Sequence, residues 1–78
     1  MTEAIRLNQL KTGEAGRVIA LNQFDHMRRR LQDIGFVHGT VVECIAKSPM
    51  GNPKAYLIKG AVIALRNEDS EQILIERF

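Results

Sequence analysis

Six side chains in this sequence could serve a soft metal or a covalent mechanism: His26, His38 and Cys44, joined by Asp25, Asp33 and Glu43. None of them stands at C-x-x-C or H-x-x-x-H spacing, which would aim two ligands at one point. His26 falls about 120° from the apolar stripe of its helix, which turns it toward solvent. A tightly held ion needs three or four converging ligands. The expectation is therefore no resident metal and no cofactor. Cys44 has no histidine placed in the sequence to activate it, and it shares a strand face with Val42. It reads as a small core residue rather than a nucleophile. With no acid–base pair either, no catalytic residue is assigned and the chain is read as a non-enzyme.

Two features suit binding better than chemistry. Arg28-Arg29-Arg30 lies within a helical pattern, where Arg28 and Arg30 flank the apolar stripe and Arg29 points away from it. A flanking arginine can bury its stem and offer a planar guanidinium to a carboxylate or phosphate. We assign that contact role to Arg28, with Arg29 neutralised by Asp25 and Asp33 and Arg30 structural. The second feature is the loop 48–53, Ser-Pro-Met-Gly-Asn-Pro, whose two prolines limit its freedom while Met50 stands at the tip. Pro49, Met50 and Asn52 complete the candidate contact set. Gly35 and Gly39 form no phosphate cradle, because no Lys-Ser/Thr pair follows them. They suit a helix end and a strand entry.

The frame for these residues is small. The chain has 78 residues, 45% of them apolar and 26% charged, with a formal charge of +2. That composition fits one soluble folded domain over residues 1–78, without room for a deep catalytic cleft. Aromatics are 5% with no tryptophan, which argues against a base-stacking platform. A charge of +2 does not call for nucleic acid, and none is expected as a partner. The apolar stretch 60–65 is far short of the roughly 20 residues that span a bilayer. The opening residues do not read as a signal peptide. Cys44 is the single cysteine, which suits a reducing, cytoplasmic setting.

The elements follow from periodicity. Leu7 and Leu10 are spaced for one helical turn, and 17–21 reads as a first strand. Phe24, Met27, Leu31 and Ile34 recur at three- and four-residue steps and form one helical stripe, with Asn22 as N-cap and Gly35 after the last turn. Residues 40–47 read as a strand with Thr40, Val42 and Cys44 on one face. Residues 55–58 and 61–65 flank the two-residue turn Lys59-Gly60 as a hairpin. Residues 67–71 make a polar helical turn, and 72–77 a last strand. The result is mainly β with one or two short helices, a small β-barrel that hides strand edges by closure.

The order of these segments resembles the FeoA family of small SH3-like barrels. The carrying residues are Arg30-Leu31-Gln32-Asp33-Ile34-Gly35-Phe36 followed by Gly39-Thr40-Val41-Val42. They are similar to the family pattern R-L-x-D-[LM]-G-[LMF]-x-x-G-[ST]-x-[VI]. Residues 48–53 resemble its P-x-G-x-P loop, Ala64-Leu65-Arg66 its [AV]-L-R strand end, and Leu7, Leu10 and Gly13 its opening turn. His38 replaces the usual proline and Phe36 the commoner leucine.

The resemblance implies an accessory protein of bacterial ferrous-iron transport. Its implied partner is the cytosolic part of FeoB, a GTP-binding membrane transporter, which would recruit the chain to the inner face of the cytoplasmic membrane. The expected contact residues are Arg28, Pro49, Met50 and Asn52. Self-association through an edge or loop is a further expectation. Two alternatives stay open. One is a nucleic-acid-binding or regulatory barrel using Arg28, Arg29, Lys54 and Lys59. The other is an Fe(II)-sensing module with a weak contact at His26, His38 or Cys44.

Overall fold

The computed structural model describes residues 3–78. Aliphatic residues at two-residue spacing build six strands: β1 Glu3–Arg6, β2 Ala15–Leu21, β3 Val41–Lys47, β4 Lys54–Ile58, β5 Ala61–Leu65 and β6 Ile73–Arg77. Two helices join them, α1 Asp25–Ile34 and the short α2 Asn67–Ser70, with a 3-10 turn at Leu7–Gln9. All strand pairs are antiparallel, in the order β1-β6-β2-β3-β4-β5. Register shifts between Val18 and Ala20 and between Cys44 and Ala46 mark bulges on β2 and β3. Such bulges bend strands, so the sheet curls into a barrel. β1 and β5 remain as hydrogen-bonding edges, which qualifies the expectation that closure hides every edge.

The inward faces alternate as the sequence pattern requires. Val18, Val42, Cys44, Tyr56, Ile58, Ile73 and Ile75 are buried along the strands, and Leu7 and Leu10 close one end of the core. Leu31 of α1 and Phe36 just beyond it are buried on the same core. Gly35 takes a φ of 134°, and its N–H and that of Phe36 both donate to the Leu31 carbonyl. Phe36 thereby folds back under the helix, as the glycine position predicts.

Three expectations are corrected. The N-terminal strand β1 is absent from the sequence reading; its four residues bury only Ile5 and pair with β6, about seventy residues away. The helical turn expected from the Leu7 and Leu10 spacing is present, as a 3-10 turn closed by the Leu10 N–H on the Leu7 carbonyl. Asn22 does not cap α1, because its backbone N–H continues the β2–β6 ladder to the Gln72 carbonyl. Phe24, the true N-cap, is extended backbone and 84% exposed, so it leaves the core stripe. Ile34 is exposed as well, and Met27 only packs against the core, which leaves Leu31 as the buried anchor of the helix. Gln23 takes the place expected of Phe24: it is buried, and its Nε2 donates to the Asp69 carbonyl at 2.6 Å.

Candidate functional site

The loop 48–53 is held by its own backbone and by α2. Ser48 N–H donates to the Pro53 carbonyl and Gly51 N–H to the Ser48 carbonyl. The Asn52 side chain accepts from the Asn67 N–H at 3.0 Å, fixing the loop to the first turn of α2. Asn52–Pro53 is a cis peptide bond. Met50, 89% exposed, projects from this braced turn. An apolar side chain displayed on a stiff loop loses little entropy when a partner covers it.

Beside Met50 opens a cleft of about 700 Å³, lined by Leu10, Lys11, Thr12, Lys47, Gly51, Lys54 and Asn67. Three of these residues are lysines and none is acidic. The ion pairs among the described residues lie elsewhere, at Arg6–Glu71, Arg66–Glu68, Arg77–Glu3 and Arg77–Glu14. Lys54 is positioned by the fold: its Nζ donates to the carbonyls of Asn8 at 2.6 Å and Leu10 at 3.2 Å. Cationic groups around an acid-free cleft attract carboxylates or phosphates and orient them before contact. Asn52 and Pro53 also border a smaller cleft with Arg66.

The remaining candidates are dispersed. Arg28 is exposed on α1 but borders none of the clefts around the loop, whereas Arg30 lines a groove between α1 and β5. His26 shares a shallow notch with Asp25 and Arg29, and His38 borders another with Arg17 and Glu76. Cys44 is fully buried in β3, its Sγ 4.0 Å from the Ala46 carbonyl, so it packs as a core residue. The His26, His38 and Cys44 side chains therefore occupy three separate places. Among the described residues, no three His, Cys, Asp or Glu side chains converge as a metal site would require.

Among the described residues, Tyr56 has a strongly displaced titration. Burial pushes its phenol up to about 12. The Ser70 hydroxyl lies near it and opposes that rise, but the two do not meet in a hydrogen bond of good geometry, so burial dominates. The sequence reading missed Lys11 and Lys47 as cleft residues. Lys54 was picked out only for a nucleic-acid alternative. The available signal was a lysine on each side of the Pro-Gly-Pro loop, at 47 and 54.

No helix among the described residues is long and apolar enough to cross a membrane. The FeoA domain family model matches residues 5–77. A curated relative, an Fe(2+) transport protein A/Fe(2+) transporter FeoB fusion protein of Porphyromonas gingivalis, is 31% identical over 72 residues, covering 92% of this chain. The chain spans 8% of that relative's length. The solution structure of a FeoA-like protein from Clostridium acetobutylicum is 33% identical and superposes with a TM-score of 0.87, covering 100% of this chain and 91% of that one. The zinc-complexed FeoA of Stenotrophomonas maltophilia, described as a prokaryotic SH3 domain protein, is 28% identical with a TM-score of 0.80, covering 96% and 88%. The family match runs over nearly the whole chain and the fold superposes on solved FeoA structures, and the chain belongs to the FeoA family.

Proposed function

We propose that this chain is a non-enzymatic adapter of ferrous-iron uptake that acts in the cytoplasm on the cytosolic part of a FeoB-type transporter. The observation that carries this reading is the Porphyromonas gingivalis relative, in which a similar segment and a FeoB transporter are joined in one polypeptide. Covalent fusion holds two modules at high effective concentration, an arrangement that suits parts that work in contact.

The surface best suited to the contact is the loop face. Met50 supplies an apolar anchor, Pro49 and Asn52 its stiff frame, and Lys11, Lys47 and Lys54 a charged surround. An anchor desolvated within a polar rim is the usual source of interface affinity. Arg28, on the exposed side of α1, is retained as an outlying contact.

The test is calorimetric binding of the purified cytosolic part of the transporter, with and without guanine nucleotide. Met50→Asp should weaken binding mainly through a faster off-rate, and Arg28→Glu should weaken it less, both with an unchanged thermal midpoint. Wild-type affinity in both variants would move the interface elsewhere. No binding by the wild-type chain in either nucleotide state would reject the adapter reading.

A further inference from the structure

The two edges of the sheet are finished differently. Edge β1 reads Glu-Ala-Ile-Arg, and both its charges are engaged: Glu3 with Arg77 and Arg6 with Glu71. Charged residues on an edge discourage further strand pairing. Edge β5 reads Ala-Val-Ile-Ala-Leu, without a charge or a proline. Its register against β4 places Ile58 opposite Ala61, Tyr56 opposite Ile63 and Lys54 opposite Leu65. Across a two-residue turn the flanking pair is hydrogen-bonded, so Ala61, Ile63 and Leu65 direct their backbone groups at β4. The N–H and C=O groups of Val62 and Ala64 therefore face outward. Val62 is 65% exposed and Ala64 is also exposed.

A groove of about 250 Å³ runs beside this edge, between it and α1. Met27, Leu31, Ile34 and Ile63 give it an apolar floor, and Arg30 and Arg66 stand on its walls with Asp69. Lys59 adds a third cation at the turn end of β5, its stem lying over Gly35 at the end of α1. Arg66 meets Glu68 only at 4.0 Å, with both side chains largely exposed, so its charge remains available.

The geometry points to β5 as a strand-addition site for an extended peptide segment that alternates apolar residues and carries acidic residues at its ends. The added strand would take the outward N–H and C=O groups of Val62 and Ala64, set apolar side chains toward Met27 and Ile34, and place its carboxylates near Arg30, Arg66 and Lys59. Main-chain bonds supply affinity in this mode, and alternate side chains supply selectivity. A second copy of the chain fits less well. Antiparallel pairing of two β5 strands about Ile63 would set Arg66 of each beside the Lys59–Gly60 turn of the other, cation against cation. The inference is independent of the loop face and of the transporter reading.

The test uses a capped heptapeptide of alternating valine and threonine with glutamate at each end, titrated to millimolar concentration into the isotopically labelled protein. Amide resonances of Val62 and Ala64 should shift and their hydrogen exchange should slow, while Lys11, Lys47 and Met50 stay unmoved. Ala64→Pro removes one outward N–H without touching a bond to β4, and should abolish the response. Arg30→Glu should weaken binding about fivefold, the scale of an exposed charge contact. A peptide N-methylated at alternate residues provides the same control without altering the protein, and should not bind. Unmoved Val62 and Ala64 amides, or undiminished binding of the N-methylated peptide, would overturn the proposal. A concentration-dependent dimer lost in Ala64→Pro would overturn it in favour of self-pairing.

Discussion

Lys54 and Asn8 are joined across the barrel: the ammonium on the first residue of β4 donates at 2.6 Å to the carbonyl oxygen of the 3-10 turn after β1. A second bond to the Leu10 carbonyl fixes the same ammonium. The pair ties the N-terminal segment to the hairpin, although β1, which leads into that turn, and β4 are not neighbours in the sheet. Lys54→Met keeps the stem and removes the charge, leaving two carbonyls without this donor. The expected loss is about 1–3 kcal/mol, read as a lower urea midpoint at unchanged slope.

Burial of Leu31 and exposure of Phe24 on either side of the helix start give an asymmetric pair of substitutions. Leu31→Ala should cost about 2–5 kcal/mol, as large-to-small changes in a packed core do. Phe24→Ser should stay within about 0.5 kcal/mol of the parent. Chemical denaturation of both variants checks the two values together, and equal losses would put Phe24 back in the core.

Gly16 sits in β2 between β3 and β6, where an added Cβ would stand 2.6 Å from the Glu76 carbonyl oxygen and 2.9 Å from Ile75 Cδ1. Backbone cannot yield there as a flexible side chain could. Gly16→Ala should therefore destabilise by about 1–3 kcal/mol, despite the better strand propensity of alanine. Gly13→Ala offers a contrast: no atom lies within 4 Å of its added Cβ, but its φ of 92° makes the cost conformational rather than steric.

Tyr56 predicts an alkaline limb of stability. Its phenol ionises near 10 when unfolded and at about 12 in the folded chain, so between those values the folded state binds the proton that the unfolded state has released. The stabilisation is complete below pH of about 10 and is lost as pH rises through about 12, a total of about 2–3 kcal/mol. As the single tyrosine, it reports its own ionisation by tyrosinate absorbance. Tyr56→Phe should remove this part of the alkaline decline, which a comparison of thermal midpoints across that range would reveal.

Charge around the loop-face cleft should act on association more than on dissociation. Lys11→Glu combined with Lys47→Glu should slow binding of the transporter's cytosolic part and flatten its dependence on ionic strength, with little change in the off-rate. Stopped-flow measurements at several salt concentrations separate this effect from the Met50 anchor, whose loss should appear in the off-rate.

Much of the fold was legible because periodicity tracks burial. Val42 and Cys44, Ile73 and Ile75, and the Lys59-Gly60 hairpin turn all fall where alternation and turn chemistry place them. Local pattern failed where a distant partner decides the outcome. Ile5 alone cannot announce a strand, since β1 exists by virtue of β6. Phe24 satisfies the helical spacing, yet Asn22 stays in the β2–β6 ladder and Gln23 locks onto Asp69, so the helix begins too late to include it. The candidate contact residues were legible as types. Their grouping was not: Met50 with three lysines, and Arg30 rather than Arg28 beside β5, depend on which loops the curled sheet brings together.

The position of β6 has a consequence for how the chain acquires its structure during synthesis. Last of the strands in sequence, it lies inside the sheet, between β1 and β2. Until it leaves the ribosome, β1 has no partner strand and β2 lacks one of its two neighbours. The domain should therefore complete its cooperative structure only after residues 73–77 have emerged, rather than growing strand by strand from the N-terminus. Nascent chains stalled short of that point should remain protease-sensitive throughout, and those extended past it should become resistant in a single step.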